Sequence, residues 1–287
     1  MIKSLFGLPT KVQHCKKCLL TNQKPFSINE TKNFKGSKKS GLEFKDGLCS
    51  ACHYSNAKDN SVINWEKREI LLRKLLDQHR KTDGNYDCIV STSGGKDSST
   101  IAHILKYKYQ MNPLTVTYSP ILYTDIGFKN LRAMINIGGF DNLLFTPNGK
   151  LTSILAREAF VNLLHPMQPF KFGIKSIAAK TALRYGIKLV MFGEPYYEYG
   201  SAKLSLDIEN SKPSYDIDWY VNDSDDIYFG GTHYKDILKK YQWIKSNDLY
   251  PFMPLTSKDI ENSRSQSLQV EYLGWYLKWD PQEIYYY

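Results

Sequence analysis

The stretch YDCIVSTSGGKDSSTIAHILKYKYQ, residues 86–110, decides the fold. Residues 87–91 predict a short buried strand, residues 93–97 a tight glycine turn, and residues 98–109 a helix. That order carries the chain to a sheet edge, reverses it, and aims a helix N-terminus at whatever lies there. Gly94 and Gly95 permit positive φ and remove side chains that would block a phosphate. The free N–H groups and positive dipole end of the helix then face the anion. Ser93, Ser98 and Ser99 add hydroxyl donors, and Lys96 adds positive charge. Asp97 either caps the helix or orients Mg²⁺ on the phosphates.

Outward from this stretch, strands alternate with helices. Residues 113–120 and 141–148 predict a second and a third strand, and residues 187–194 a further buried one. Residues 150–165, 173–186 and 235–247 predict helices. Residues 64–81 predict another, with Asn64 as N-cap, Glu66 and Glu69 in its first turns and Arg80 and Lys81 in its last. Its Leu72, Leu75, Leu76 and His79 share one stripe, which makes His79 a packed edge residue. The expected fold is α/β, a parallel sheet with helices on both faces. Residues 195–232 interrupt it with aromatic residues (Tyr196, Tyr197, Tyr199, Tyr215, Trp219, Tyr220, Tyr228, Phe229) and acidic ones (Asp216, Asp218, Asp223, Asp225, Asp226). They read as a lid over the active face or as a plain surface insertion. Residues 268–279 are apolar and aromatic, and the terminal YYY, with no polar tail, is the expected mark of a truncated chain.

Residues 1–60 form a module distinct from residues 61–287. Cys15/Cys18 and Cys49/Cys52 are two CxxC pairs separated by a polar, lysine-rich stretch with too little apolar content for a core. Four thiolates complete a tetrahedral Zn²⁺ shell and supply the missing cross-link, so the module resembles a zinc ribbon. His14 and His53 flank the pairs as substitute ligands. The fifth cysteine, Cys88, belongs to the central strand and reads as packing. The same 60 residues carry 11 lysines against four acidic residues, leaving only +2 of the chain's +9 for the remainder. A near-neutral body argues against nucleic acid as a partner. No apolar run reaches the ~18 residues of a membrane span and no signal peptide is legible, so a cytoplasmic protein is expected.

The loop is not a Walker A sequence, because GxxxxGK[ST] occurs nowhere, and the GxGxxG dinucleotide pattern is absent too. SGGKDSS after an apolar strand resembles the PP-loop of N-type ATP pyrophosphatases. The resemblance implies that the backbone amides near Gly95 grip the leaving diphosphate of ATP while the α-phosphorus is attacked. With the CxxC pairs, TDIGFKNL (124–131), GFDNLLFTP (139–147), MFGEPYYEYG (191–200) and EYLGWYLKW (271–279), the chain is similar to the N-acetyl sugar amidotransferases of surface-polysaccharide (lipopolysaccharide O-antigen) and flagellin-glycan biosynthesis. That family implies an acidic, free or nucleotide-linked acetamido sugar as substrate and an acetamidino product, with ATP split to AMP and pyrophosphate. It also implies a separate glutaminase subunit with a barrel-like companion that channels ammonia, since no glutaminase nucleophile is legible here.

On this reading Ser93, Gly94, Gly95, Lys96, Asp97, Ser98 and Ser99 bind phosphates and Mg²⁺. The backbone around Thr117, Tyr118 and Ser119 meets adenine, and Asp125 and Asn130 line the nucleotide or sugar site. Glu194 and Glu198, following a central strand, accept a proton from ammonia, hold the amide, or form a loop salt bridge. Arg264 is a candidate for a sugar carboxylate or diphosphate. Two other readings stay open. A tRNA-thiolating PP-loop enzyme also carries CxxC pairs and SGGKDS, though no cysteine pair follows the loop here. A zinc-ribbon interaction protein with a degenerate nucleotide fold conflicts with the intact loop.

Overall fold

The structure, a computed structural model, describes residues 7–24, 34, 36, 41–195, 198 and 221–286. The N-terminal module contains a two-residue hairpin, β1 (Phe44–Lys45) and β2 (Leu48–Cys49), and a helix α1 (Ser50–Asp59). The hairpin turns at Asp46 and Gly47, both with positive φ. Its core is minimal: Leu42 and three buried cysteines, with Phe44, Leu48 and Ala51 packed against them.

The body follows. Helix α2 (Trp65–His79) begins as the sequence predicts, with the Asn64 side chain accepting from the Lys67 N–H at 2.9 Å. Next come β3 (Cys88–Thr92), α3 (Lys96–His103) with a π turn over Ile104–Lys108, and β4 (Pro113–Tyr118). Then come α4 (Asp125–Asn136), β5 (Asn142–Phe145), α5 (Gly149–Leu163), α6 (Gln168–Tyr185) and β6 (Leu189–Phe192). The rest comprises a hairpin of β7 (Tyr228–Phe229) and β8 (Thr232–His233), α7 (Tyr234–Lys240), α8 (Ser257–Glu261), β9 (Gln269–Tyr272), α9 (Leu273–Tyr276) and α10 (Pro281–Tyr286).

Five strands form one sheet in the order β5-β4-β3-β6-β9, every pairing parallel. Side chains alternate across it. Ile89 faces a core built with α5 and α6 (Leu151, Leu155, Phe172, Ile177), while Cys88 and Val90 face one built with α2, α3 and α4 (Leu72, Leu76, Ile101, Leu131). Helices therefore cover both faces, and β3 is apolar on each side, as a central parallel strand requires.

Several elements differ from their sequence expectation. The helix after the glycine turn starts at Lys96, because Gly95 is already its N-cap. Helix α6 starts five residues early, with Pro169 in its first turn where the missing N–H costs nothing. Helix α7 ends at Lys240 instead of continuing to 247. Tyr241 instead turns its hydroxyl to the buried Glu158 at 2.6 Å. The insertion at 195–232 is in part not a lid: Ile227 and Phe229 are buried in the α5/α6 core. Tyr196, Tyr197, Tyr199, Tyr215, Asp216, Asp218, Trp219 and Tyr220 lie outside the described residues. Among the described residues no helix is long and apolar enough to cross a membrane.

Candidate functional site

From β3 the chain passes to β4 and β5 on one side, then crosses to β6 and β9 on the other. The direction of winding reverses between β3 and β6. Open α/β sheets hold ligands at such a switch point, outside the carboxyl ends of the strands. The SGGKDSS loop leaves β3 there, and a cavity of about 260 Å³ opens beside it. Ser93, Gly95, Asp97 and Ser98 line this cavity with Tyr118 from β4 and Glu194 from beyond β6. Phe170 and Ile174 of α6 add an apolar wall that sequence reasoning missed. On the other flank of the loop, a wider cleft of about 540 Å³ is lined by Gly94, Lys96, Ser99, His103 and Asn130, among others. The loop thus divides its residues between two hollows.

Within the loop, Gly94 has φ +77° and packs directly on α4. The hydroxyl of Ser98 accepts from the Ser93 N–H at 3.1 Å and donates to the Gly95 carbonyl at 3.1 Å. The Gly94 N–H donates to the Thr92 hydroxyl, and the Gly95 N–H to the Ser93 hydroxyl, each at 3.3 Å. So the amides assigned to diphosphate by sequence are met here by three hydroxyl oxygens, two of them at the long end of hydrogen bonding. The first turn of α3 adds the N–H groups of Lys96, Asp97 and Ser98, which have no intrahelical acceptor. Ser99 is the first residue of the helix whose N–H reaches one, the Gly95 carbonyl at 3.0 Å. Lys96 Nζ lies 2.5 Å from Asp97 Oδ1, an exposed pair that pins the lysine at the loop.

The other expected residues separate. Of residues 117–119 only Tyr118 lines the cavity. Thr117 accepts from Asn142 Nδ2 at 2.9 Å and the Ser119 N–H donates to the Phe145 carbonyl at 2.8 Å, so both are committed to the sheet. Tyr118 is buried, and Gly173 of α6 makes room for its ring: a Cβ there would lie 2.1 Å from Tyr118 Cζ. Asn130 reaches the wider cleft, whereas Asp125, exposed at the start of α4, lines neither hollow. Arg264 is a correction. Its Cβ lies 3.5 Å from where a Cβ on Gly186 would sit, just before β6, and neighbouring Ser265 bonds the Ile187 carbonyl. That is the amino-terminal edge of the sheet, opposite the loop.

Glu194 faces the cavity, and its carboxyl is held above the usual carboxylate range, first by burial and then by the charge of Asp97, with Lys96 opposing. Glu198 is also pushed up, mainly by burial, with Lys58 opposing. Its salt bridge is with Lys58 of the N-terminal module at 2.6 Å. The Lys58 side chain is a contact no sequence signal marks. Gly193, also unread, is pressed between Ile101 and Trp279: a Cβ there would meet them at 2.9 and 3.0 Å.

At the N-terminal module, the sulfurs of Cys15, Cys18, Cys49 and Cys52 all lie within 4.8 Å of one another. Cys15 to Cys52 is 3.7 Å and Cys18 to Cys49 is 3.5 Å. Four thiolates around one tetrahedral zinc sit about 3.8 Å apart, so the set fits a metal ion of that kind. The flanking histidines are used elsewhere. His14 Nδ1 lies 3.4 Å from the Leu19 carbonyl and His53 Nε2 lies 2.8 Å from the Lys45 carbonyl. Cys88 is buried in β3, and burial pushes its thiol far up, as a packing residue requires.

No family model matches the chain. A stretch of 53 residues is 42% identical to the uncharacterized protein MJ1599 of Methanocaldococcus jannaschii, covering 18% of this chain and 19% of that protein. The chain therefore spans about a fifth of the relative it matches, and that relative's name assigns it no activity.

Proposed function

We propose that the chain is an ATP-dependent amidotransferase of the N-acetyl sugar amidotransferase kind, converting an acetamido group of an acidic sugar into an acetamidino group. The observation that carries the reading is the SGGKDSS turn at the switch point of a parallel sheet, opening one cavity shared by Asp97, Ser98 and Glu194. An anion-receptive helix start, hydroxyls and an apolar wall suit a nucleotide triphosphate. The N–H groups of Lys96, Asp97 and Ser98 at the start of α3, with the loop hydroxyls, hold the phosphates, Lys96 balances their charge, and Asp97 would hold Mg²⁺. Tyr118, Phe170 and Ile174 form the wall available to the adenine ring.

An amide carbon is a poor electrophile. Attack of its oxygen on the α-phosphorus of ATP expels pyrophosphate and leaves an imidoyl adenylate. Ammonia then adds to the carbon and AMP departs. The substrate supplies the nucleophile, so the chain's task is to position the reactants and stabilise charge. Glu194, with its raised affinity for a proton, takes one from the incoming ammonia on this reading. A separate glutaminase with a barrel-like companion supplies that ammonia. The four cysteines would hold zinc, which cross-links a module too small to cohere by burial alone.

The test is mass spectrometry of products formed from ATP, ammonia and a panel of acidic acetamido sugars. The reading requires a product one mass unit lighter together with AMP. AMP release stimulated by tRNA and by no sugar would sink it and point to thiolation.

A further inference from the structure

The cysteine cluster and the carboxyl edge of the sheet are joined by one buried ion pair. Helix α1 starts one residue after Cys49, carries Cys52 in its first turn, and ends with Lys58 and Asp59. From Cys52 to Lys58 is a rigid rise of about 9 Å. Lys58 Nζ donates to Glu198 Oε2 at 2.6 Å and to the Trp279 carbonyl at 3.0 Å. The two side chains are 10% and 7% exposed. The second oxygen, Glu198 Oε1, is buried with no hydrogen-bond partner among the described residues. The neighbouring Asp59 lies 3.4 Å from Lys278 Nζ. Phe34 bridges to Gly231, and its ring centroid lies 5.6 Å from that of Tyr228. The module therefore touches the body at Glu198, Lys278 and Trp279 and again at Tyr228 and Gly231.

We infer that Lys58 is a positioning residue that couples metal binding at the cysteine cluster to the catalytic face. A filled cluster fixes the start of α1, α1 fixes Lys58, and Lys58 holds the Glu198 carboxylate beside Glu194. A buried pair suits this task. Removing one partner strands the other's charge in a dry setting, which a surface pair would not do. Linkage makes the coupling reciprocal: a ligand that favours the arranged glutamates also tightens binding of the metal. This inference rests on the cavity beside Glu194 being the nucleotide site.

The experiment follows zinc release from the full-length protein to a chromogenic chelator, with and without a non-hydrolysable ATP analogue. Wild type, Lys58→Met and Lys58→Arg are compared. The analogue is expected to slow release from wild type about tenfold, within the usual range of coupling between sites. Lys58→Met is expected to release zinc faster and to lose that protection, and Lys58→Arg to keep both. A merely structural role for Lys58 would change the rate but leave the protection by nucleotide intact, and that result overturns the inference. So does a Lys58→Met protein that matches wild type in both. If Lys58→Met does not fold, Glu198→Gln carries the same expectations. A parallel fluorescence titration of the analogue separates the two readings. If wild type does not bind it, the ATP reading falls. The coupling to Glu198 is then judged on release without nucleotide, where equal rates for wild type and Lys58→Met refute it.

Discussion

Alanine at Gly94 and at Gly95 separates the geometry of the loop from its chemistry. Gly94 has φ +77°, in the left-handed region. An L side chain costs roughly 1–2 kcal/mol there. Its Cβ would lie 2.6 Å from Leu131 Cα and 2.7 Å from Leu131 N, backbone atoms of α4 that cannot swing aside. Overpacking of that kind adds about 1–3 kcal/mol. Gly94→Ala is therefore expected to lower the unfolding free energy by roughly 2–5 kcal/mol, with α4 displaced from the loop. Gly95 has φ −74° and ψ 159°, open to any residue, and its Cβ would meet only the Ser93 hydroxyl at 3.3 Å. Gly95→Ala is expected to cost less than about 1 kcal/mol, the scale of an N-cap change. It nonetheless sets a methyl on the wall of the proposed phosphate site, so nucleotide binding should fall at least about tenfold, or about 1.4 kcal/mol. Urea unfolding followed by tryptophan fluorescence gives the stabilities, and titration with a fluorescent ATP analogue gives the affinities. A Gly94→Ala protein as stable as wild type would rule out the close contact with Leu131, and a Gly95→Ala protein binding nucleotide as tightly would rule out phosphate at this wall.

Other outcomes follow from the same contacts. Lys96→Ala and Asp97→Ala should each lower the conversion of ATP to AMP about 10²–10³-fold while circular dichroism stays native, and full turnover in both would misplace the site. Cys18→Ser removes one of four ligands, so bound zinc measured by elemental analysis should fall well below one per chain. An unchanged content would point away from a four-sulfur site. Gly173→Ala drives a methyl into the Tyr118 ring and should lower stability by about 1–3 kcal/mol in thermal or urea unfolding. Burial raises the Glu194 carboxyl above its unfolded value, so the native state favours the proton and loses stability as pH rises through the raised value. Glu194→Gln should accordingly raise the melting temperature at about pH 8 and leave it little changed at about pH 4. A lower melting temperature at the higher pH would show that the ionised carboxylate is stabilising instead.

What could be read in the sequence was local. The strand, turn and helix around Gly94 are written in consecutive residues, and so is the Asn64 cap of α2. The four cysteines announce themselves by spacing, and the structure brings their sulfurs together. Helix α1 was illegible because it has no apolar stripe. Its buried residues are Ser50, Cys52, Tyr54 and Ala57, and the cysteine cluster stands where a core would be. Helix α4 hid behind exposed apolar residues such as Ile126 and Phe128, although Thr124 caps it by accepting from the Gly127 N–H at 3.0 Å. The edge strand β9 was masked by Gln269 and Glu271. The latter is buried, with Tyr276 donating to it at 2.8 Å and Gln269 at 2.9 Å. The Lys58–Glu198 pair spans 140 positions, and no local pattern encodes such a contact.

Under the proposed function, the loop at residues 93–99 directs attack by a substrate amide oxygen on the α-phosphorus of ATP. The most direct test of this step uses an acidic acetamido sugar whose amide carbonyl carries heavy oxygen, with ATP and ammonia as co-substrates and nucleotides analysed by mass spectrometry. The label must then appear in AMP, with none in the released pyrophosphate. Formation of ADP, or AMP free of label while amidine accumulates, would contradict this step.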